Sequence, residues 1–396
     1  MKLATLMLVD GLGLSGKTKA LCDLALGLDK QRFDPIVVCF ARENSPLADG
    51  LEHAGIPVIE VPIKERLRPG NLRELQRIIK VHRPDIVHCY NPRAMLYGGL
   101  AARLLGVRAT LGSLSAFACM VPDRHYDFLP QRLLTRTFSN RIRNRFVAAL
   151  MQKLAVVSLD LGERFCRFNK IAIGKLRLVP YGVAVDPESD PGSDLESRAR
   201  ERSILRSQWG IADADLLIGS VGRLVEQKDY VTQIEGFALA ARGAPSLKMV
   251  LIGEGPLRGE LEAAVARLRI SSKVTFLGYR SDVQKILRSI DIFAMTSKFE
   301  PYGVALLEAK ANGVPIIAAA VNQVPEILSS GASGLLFQAG SIAGFADAIL
   351  QLAGDRALRD RMSSQAYREA CTRHSLSAMI EEYEKLYLEV YGLGLG

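Results

Sequence analysis

Short apolar runs closed by turn residues alternate along the whole chain with longer stretches whose apolar residues recur every three or four positions. This is the pattern of parallel strands joined by helices. Leu3–Val9, Ile36–Phe40, Val58–Val61, Ile86–Cys89, Ala109–Leu111 and Leu154–Val157 read as strands of one sheet. Leu216–Val221, Lys248–Ile252, Val274–Phe276, Ile292–Met295, Val314–Ala318 and Gly334–Phe337 repeat the rhythm as a second series. Between them, Asp186–Ser203 is rich in Pro, Ser, Asp and Arg without apolar periodicity and reads as linker and surface. The expected fold class is α/β, with two Rossmann-like, doubly wound domains over residues 1–185 and 186–375. Such sheets bind ligands outside the carboxyl ends of their strands, so two of them facing one another would frame a central cleft. Near the end, Ile380, Tyr383, Leu386, Tyr387 and Val390 share one face of a helix ending at Gly392. That helix, residues 376–392, needs an apolar surface and is expected to pack back on the first domain.

With 396 residues, 48% hydrophobic and 23% charged, the chain has the means to bury two cores, which excludes disorder and a single small module. Six cysteines without a C-x-x-C pair or a histidine cluster point to a reducing compartment and no structural zinc. The opening run Leu3–Val9 is cut short by Asp10, and no run of eighteen apolar residues follows. A cytoplasmic protein, at most peripheral at the inner face of a membrane, is expected. The net charge of +9 is uneven: residues 1–190 hold 28 Lys+Arg against 18 Asp+Glu, residues 191–396 hold 23 against 24. The excess is concentrated over 129–154, where Arg132, Arg136, Arg141, Arg143, Arg145 and Lys153 occur with no acidic residue and with Ile142, Phe146, Val147 and Leu150 among them. An anionic membrane surface is the expected partner of this stretch, and nucleic acid is not.

Two clusters carry candidate chemistry. In SKFEPYGVALLEAKANGVPIIAA, Ser297–Ala319, a strand runs into a polar loop and a helix begins at Gly303. The N–H groups of Gly303 and Val304 would be unpaired donors at the positive end of that helix, a natural phosphate site. Glu300 and Glu308 flank it; because carboxylates repel phosphate, hydroxyl groups of a sugar suit them better. In GSVGRLVEQKDY, Gly219–Tyr230, a strand ends in Gly222 and then presents Arg223 and Lys228, a fork and a point charge suited to a diphosphate.

With both clusters in view, the chain resembles the retaining glycosyltransferases of family 4, which have the GT-B fold. The resemblance runs through DIVHCYNPRAMLYGGLAARLLG, LAVVSLD, KLRLVPYGV, VGRLVEQKD, LIGEGPLRGEL, VTFLGYR, FEPYGVALLEA and NGVPIIAAAVNQVPEIL, in the family's order. It implies a UDP- or GDP-sugar donor whose diphosphate is neutralised by Arg223 and Lys228 and bonded by the amides of Gly303 and Val304. Glu308 would hold the ribose and Glu300 the sugar, with Pro301 and Tyr302 between them in the donor site beside Gly222. Gly278, Tyr279 and Arg280 would lie by the base. The implied acceptor is a glycan or lipid-linked sugar in cell-surface polysaccharide, lipopolysaccharide or glycolipid synthesis. No metal and no cofactor are implied. The histidine that family members commonly carry after the fifth strand is absent from LGSLSAFACM, which has Ser113 and Ser115; His125 is the nearest imidazole and takes its place among the catalytic candidates.

The family's Gly-Gly opening is replaced by DGLGLSGKTKAL, in which Gly11–Thr18 fits the phosphate loop GxxxxGK[ST]. A P-loop NTPase or kinase is therefore the rival reading, and a non-catalytic GT-B protein that binds nucleotide sugar is another. Against the first, no acidic residue ends the strand Ile86–Cys89 to hold magnesium. Gly13 and Gly16 are assigned to donor contacts. Asp213-Ala214-Asp215 has the D-x-D spacing of metal-dependent transferases but precedes a strand, and reads as a turn.

Overall fold

The computed structural model describes residues 2–13, 16–43, 45–63, 69–114, 137–186, 190, 195–300 and 303–392. His125, Ser115, Pro301 and Tyr302 lie outside them.

The first sheet has seven strands: β1 (Leu3–Val9), β2 (Phe33–Cys39), β3 (Val58–Glu60), β4 (Ile86–Tyr90), β5 (Ala109–Leu114), β6 (Lys153–Val156) and β7 (Leu176–Leu178). Their order is β3-β2-β1-β4-β5-β6-β7, with every pairing parallel. The second has six: β8 (Leu216–Val221), β9 (Leu247–Ile252), β10 (Val274–Gly278), β11 (Ile292–Met295), β12 (Ile316–Ala319) and β13 (Gly334–Phe337). Their order is β10-β9-β8-β11-β12-β13, again all parallel. Strands covered on both faces lack polar alternation, which is why Leu6–Val9, Val37–Cys39 and Ile316–Ala319 are apolar at consecutive positions and buried throughout. In each sheet the strand order reverses direction once, between β1 and β4 and between β8 and β11, and that reversal opens a crevice at the carboxyl edge.

The chain up to Gly182, together with the chain from Leu376 onward, forms one unit; Val183–Ser375 forms the other. Helix Leu376–Tyr391 thus belongs with the first sheet, covering it with Met379, Tyr383, Leu386, Tyr387 and Val390. Beneath that apolar face is a polar knot. His88 on β4 sets Nδ1 2.7 Å from the Tyr387 hydroxyl and Nε2 2.7 Å from Ser113 Oγ, and Ser113 Oγ is 3.0 Å from the Tyr383 hydroxyl. Burial pushes the His88 pKa down to about 3, so the ring stays neutral, donating to one hydroxyl and accepting from the other.

Two features depart from the sequence expectation. β7 is an additional edge strand of three residues, with too few apolar positions for a pattern to show. Part of Asp186–Ser203, read as linker, lies in helix Leu195–Gln208. That helix is anchored by a buried cation: Arg206 is fully enclosed, donates from Nε to the Ser289 carbonyl at 2.9 Å and pairs with Asp291 at 2.6 Å. An anchor of that kind leaves no apolar stripe in the sequence.

Candidate donor site at the carboxyl edge of the second sheet

The loop after β8 is shaped by the turn after β9. Gly222 N–H donates to the Ile252 carbonyl and Leu224 N–H to that of Glu254, both at 2.9 Å. This close approach requires glycine: a Cβ on Gly253, whose φ is +132°, would stand 2.0 Å from the Gly222 carbonyl oxygen, and one on Gly255 2.3 Å from that of Leu224. Arg223, held between these contacts, is exposed and has no acidic partner among the described residues. The buried Tyr230 hydroxyl donates to the Gly222 carbonyl at 3.2 Å, and burial raises its pKa.

After a 3-10 turn, Glu226–Lys228, the chain enters helix Tyr230–Gly243, and here it is laced to the loop after β11. Thr296 Oγ1 lies 3.0 Å from the carbonyl oxygens of both Lys228 and Asp229. Lys298 N–H donates to the Gln227 carbonyl, and Gln227 Nε2 to that of Phe299, each at 2.9 Å. The stem of Lys228 passes over Gly222, where a Cβ would come within 3.4 Å of the lysine Cε. Its ammonium pairs with Glu300 Oε2 at 2.5 Å.

Glu300 is nearly buried and serves several partners. Its Oε1 accepts the Gly303 N–H at 3.2 Å, Ser297 Oγ donates to Oε2 at 3.4 Å, and its own N–H donates to Asn322 Oδ1 at 3.1 Å. The expectation that the Gly303 N–H is unpaired is corrected here: a carboxylate at the positive end of a helix takes the orphaned amide and is itself stabilised there. Val304 N–H has no partner among the described residues. Gly303 adopts φ +66°, a left-handed geometry that lets helix Val304–Ala311 start abruptly. Glu308, half-buried, lies one turn along the helix on the same face as Val304.

The far end of that helix is pinned by a pair the sequence reading did not single out. Lys310, fully buried, donates from Nζ to the Ile327 carbonyl and to Glu369 Oε2, each at 2.6 Å, and Ser333 Oγ donates to the same carboxylate at 2.9 Å. Burial lowers the lysine's pKa. Burial would also raise that of Glu369, but the hydrogen bonds from Lys310 and Gln365 together with the lysine's charge outweigh it and hold the carboxyl down to about 2. A lysine inside an otherwise apolar helical run was the available signal.

At β10, Gly278 takes φ +68°, accepts the Gly253 N–H at 2.8 Å, and leaves room for Glu254 Oε1, which a Cβ would approach to 2.8 Å. Tyr279 is 70% exposed beside it. Arg280 is engaged by both oxygens of Asp282 at 2.8 and 2.6 Å, which raises its pKa. Its fork is therefore occupied.

In the other unit, Gly13 and Gly16 border the segment 14–15, which lies outside the described residues; Gly16 begins helix Gly16–Gly27. What lies against the glycines is a carboxylate: a Cβ on Gly11 would meet Glu43 Oε1 at 2.3 Å, and one on Gly13 Oε2 at 1.9 Å. The Thr18 hydroxyl, which in a phosphate loop would face magnesium, is buried and donates to the Gly11 carbonyl at 3.4 Å. Both observations disfavour a bound triphosphate there. Asp213 accepts from Ser203 Oγ and Asp215 from the Ala212 N–H, so the D-x-D carboxylates shape a turn. Among the described residues no three His, Cys, Asp or Glu side chains gather as a metal site.

Comparison with known proteins completes the assignment. The family described as "Glycosyltransferase Family 4" matches residues 15–187, and "Glycosyl transferases group 1" matches residues 201–369. An Escherichia coli UDP-Gal:alpha-D-GlcNAc-diphosphoundecaprenol alpha-1,3-galactosyltransferase is 23% identical over 376 residues, 92% of this chain and 91% of its own. The Rhizobium meliloti lipopolysaccharide core biosynthesis glycosyltransferase LpsE is 32% identical over 175 residues, 44% of this chain and 50% of its own. Anabaena HepE, solved with UDP and glucose, superposes with a TM-score of 0.80 at 20% identity over 98% of this chain and all of that one. A GT-B pair of Rossmann-like sheets, the two adjoining family matches and the relatives agree that this chain is a glycosyltransferase belonging to family 4.

Proposed function

We propose that the protein transfers a sugar from a nucleoside diphosphate sugar, with UDP the favoured nucleotide, to a glycan or lipid-linked acceptor, retaining the anomeric configuration and using no metal. One observation carries the donor assignment: at the β8/β11 reversal a single carboxylate, Glu300, is within hydrogen-bond distance of both the Lys228 ammonium and the amide of Gly303 at the start of helix Val304–Ala311. Lysine and helix terminus are thereby gathered where charge on a departing diphosphate would develop. Donor binding would draw Lys228 from Glu300 to the diphosphate and leave the carboxylate for sugar hydroxyls. Arg223, Gly222 and Val304 complete the diphosphate contacts, Glu308 takes the ribose, and Gly278 and Tyr279 border the base. The bond from anomeric carbon to diphosphate oxygen breaks as one to an acceptor oxygen forms, and the proton of the acceptor hydroxyl leaves with the diphosphate. Fixed cationic groups fill the role a metal would otherwise have. Retention follows from the family resemblance. The UDP donor and lipid-linked acceptor are supported by the activity for which the Escherichia coli relative is named, and the acceptor also by the basic first half of the chain.

The test is a panel of UDP- and GDP-sugars, assayed for binding and then for release of nucleoside diphosphate with EDTA present. Release from one donor, undiminished by EDTA, is expected. Activity that requires magnesium, or binding without turnover for any acceptor offered, would replace this reading with one of its rivals.

A further inference from the structure

Gln323 follows β12 at the carboxyl edge of the second sheet and is 1% exposed, yet neither its Oε1 nor its Nε2 has a hydrogen-bond partner among the described residues. An enclosed amide unmatched at both ends is less stable there than an apolar side chain of the same shape. Its neighbours lead to the donor site. Asn322, the residue before it, takes φ +48° and accepts the Glu300 N–H on Oδ1 at 3.1 Å. Ile327, one turn later at the end of helix Val324–Ile327, donates its N–H to the Gln323 carbonyl at 2.9 Å and so shares the face of Gln323. A Cβ on Gly303 would stand 3.0 Å from Ile327 Cδ1. The residues that bracket Gln323 thus touch both ends of the turn from Glu300 to Gly303.

Glu300 can supply the missing partner once it gives up one of its own. Its Oε1 accepts the Gly303 N–H at 3.2 Å, and its Oε2 is held by Lys228, with Ser297 Oγ farther off at 3.4 Å. A charge-assisted bond from an ammonium is about twice as strong as one from a neutral amide, so Lys228 keeps the place while it is there. When a diphosphate draws the lysine away, a nearly buried carboxylate loses its cation, and a buried charge short of donors is strongly disfavoured. We propose that Gln323 is the second partner of this carboxylate: in the donor complex its Nε2 donates to the Glu300 oxygen that Lys228 vacates, and its Oε1 accepts from a hydroxyl of the donor sugar. The amide is then matched at both ends only with donor bound, and it holds Glu300 toward the sugar. This deepens the proposed function and rests on its reading of Lys228 and Glu300.

The test compares the full-length parent with Gln323→Met, which keeps the length of the side chain and removes both polar atoms. UDP is the binding probe, and UDP-glucose, UDP-galactose and UDP-N-acetylglucosamine are the donors. Without ligand, Gln323→Met should melt at or above the parent's midpoint, because the unmatched amide is gone. Its affinity for UDP should fall threefold at most, since water reaches the carboxylate where the sugar is missing, whereas turnover should fall about ten- to hundredfold. In a Glu300→Gln background the same change should cost about threefold at most, because there is no longer a charge to hold. Parent-like turnover of Gln323→Met, losses that multiply in the double variant, or a midpoint lowered by several degrees would each overturn the proposal. A parent that releases UDP from none of the donors would remove the enzymatic reading and this one with it; an active parent with an unaffected Gln323→Met would remove this one alone.

Discussion

Lys228 Nζ and Glu300 Oε2 stand 2.5 Å apart at the carboxyl edge of the second sheet, on the loops that follow two adjacent parallel strands. Glu300 fixes the ammonium over Gly222 and also accepts the N–H of Gly303, the residue that precedes helix Val304–Ala311. The pair is therefore a preset for charge at the crevice, and its members are expected to fail differently when removed.

Lys228→Ala removes the cation proposed to meet charge developing on the leaving diphosphate, so turnover should fall by about 10²–10³, the scale for one oxyanion donor. Rapid-quench measurement of nucleoside diphosphate release is the check. A rate within a few-fold of the parent would remove Lys228 from the mechanism.

Glu300→Gln keeps the shape and frees Lys228 from its competitor. Calorimetry should show the released nucleoside diphosphate binding several-fold more tightly, on the order of 1 kcal/mol, while turnover falls about 10²-fold if the sugar loses the carboxylate proposed to hold it. Weaker nucleotide binding together with slower turnover would mean that Glu300 acts chiefly by capping the helix.

Gly253 and Gly259 make a contrast within one segment. Gly253→Ala places a methyl 2.0 Å from a backbone oxygen at φ +132° and should cost about 2–4 kcal/mol, with kcat/KM lowered as the Arg223 loop shifts. Gly259, in helix Arg258–Arg267, has open space around its Cβ, so Gly259→Ala should stabilise by about 0.5–1 kcal/mol. Urea midpoints of the two variants decide; equal shifts would contradict the packing described.

Glu369 has a folded-state pKa of about 2, below the usual value of about 4.3 in an unfolded chain. Its contribution to stability is thus complete above the unfolded value and is lost as pH falls from there toward the folded one. Urea midpoints between roughly pH 6 and 3 should decline in the parent and less steeply in Glu369→Gln. At neutral pH, Lys310→Ala should cost about 3–5 kcal/mol by stranding the carboxylate, and Lys310→Met with Glu369→Leu much less. A single substitution as mild as the double would show that the pair is not enclosed as described.

Much of the scaffold is legible in the residues themselves. Runs such as Leu3–Val9 and Ile292–Met295 are strands because a strand buried on both faces is apolar at nearly every position, and Gly222 marks a strand end and Gly303 a helix start where the backbone turns sharply. Local constraints of this kind leave a periodic trace. The side-chain partnerships do not: Lys228 finds Glu300 across 72 positions, Lys310 finds Glu369 across 59, and His88 meets Tyr387 across 299. Helix Leu195–Gln208, held by the enclosed Arg206, shows no trace for the same reason. Charge pairing and the choice of which face meets the core depend on the neighbours that packing supplies, so only the tertiary structure decided them.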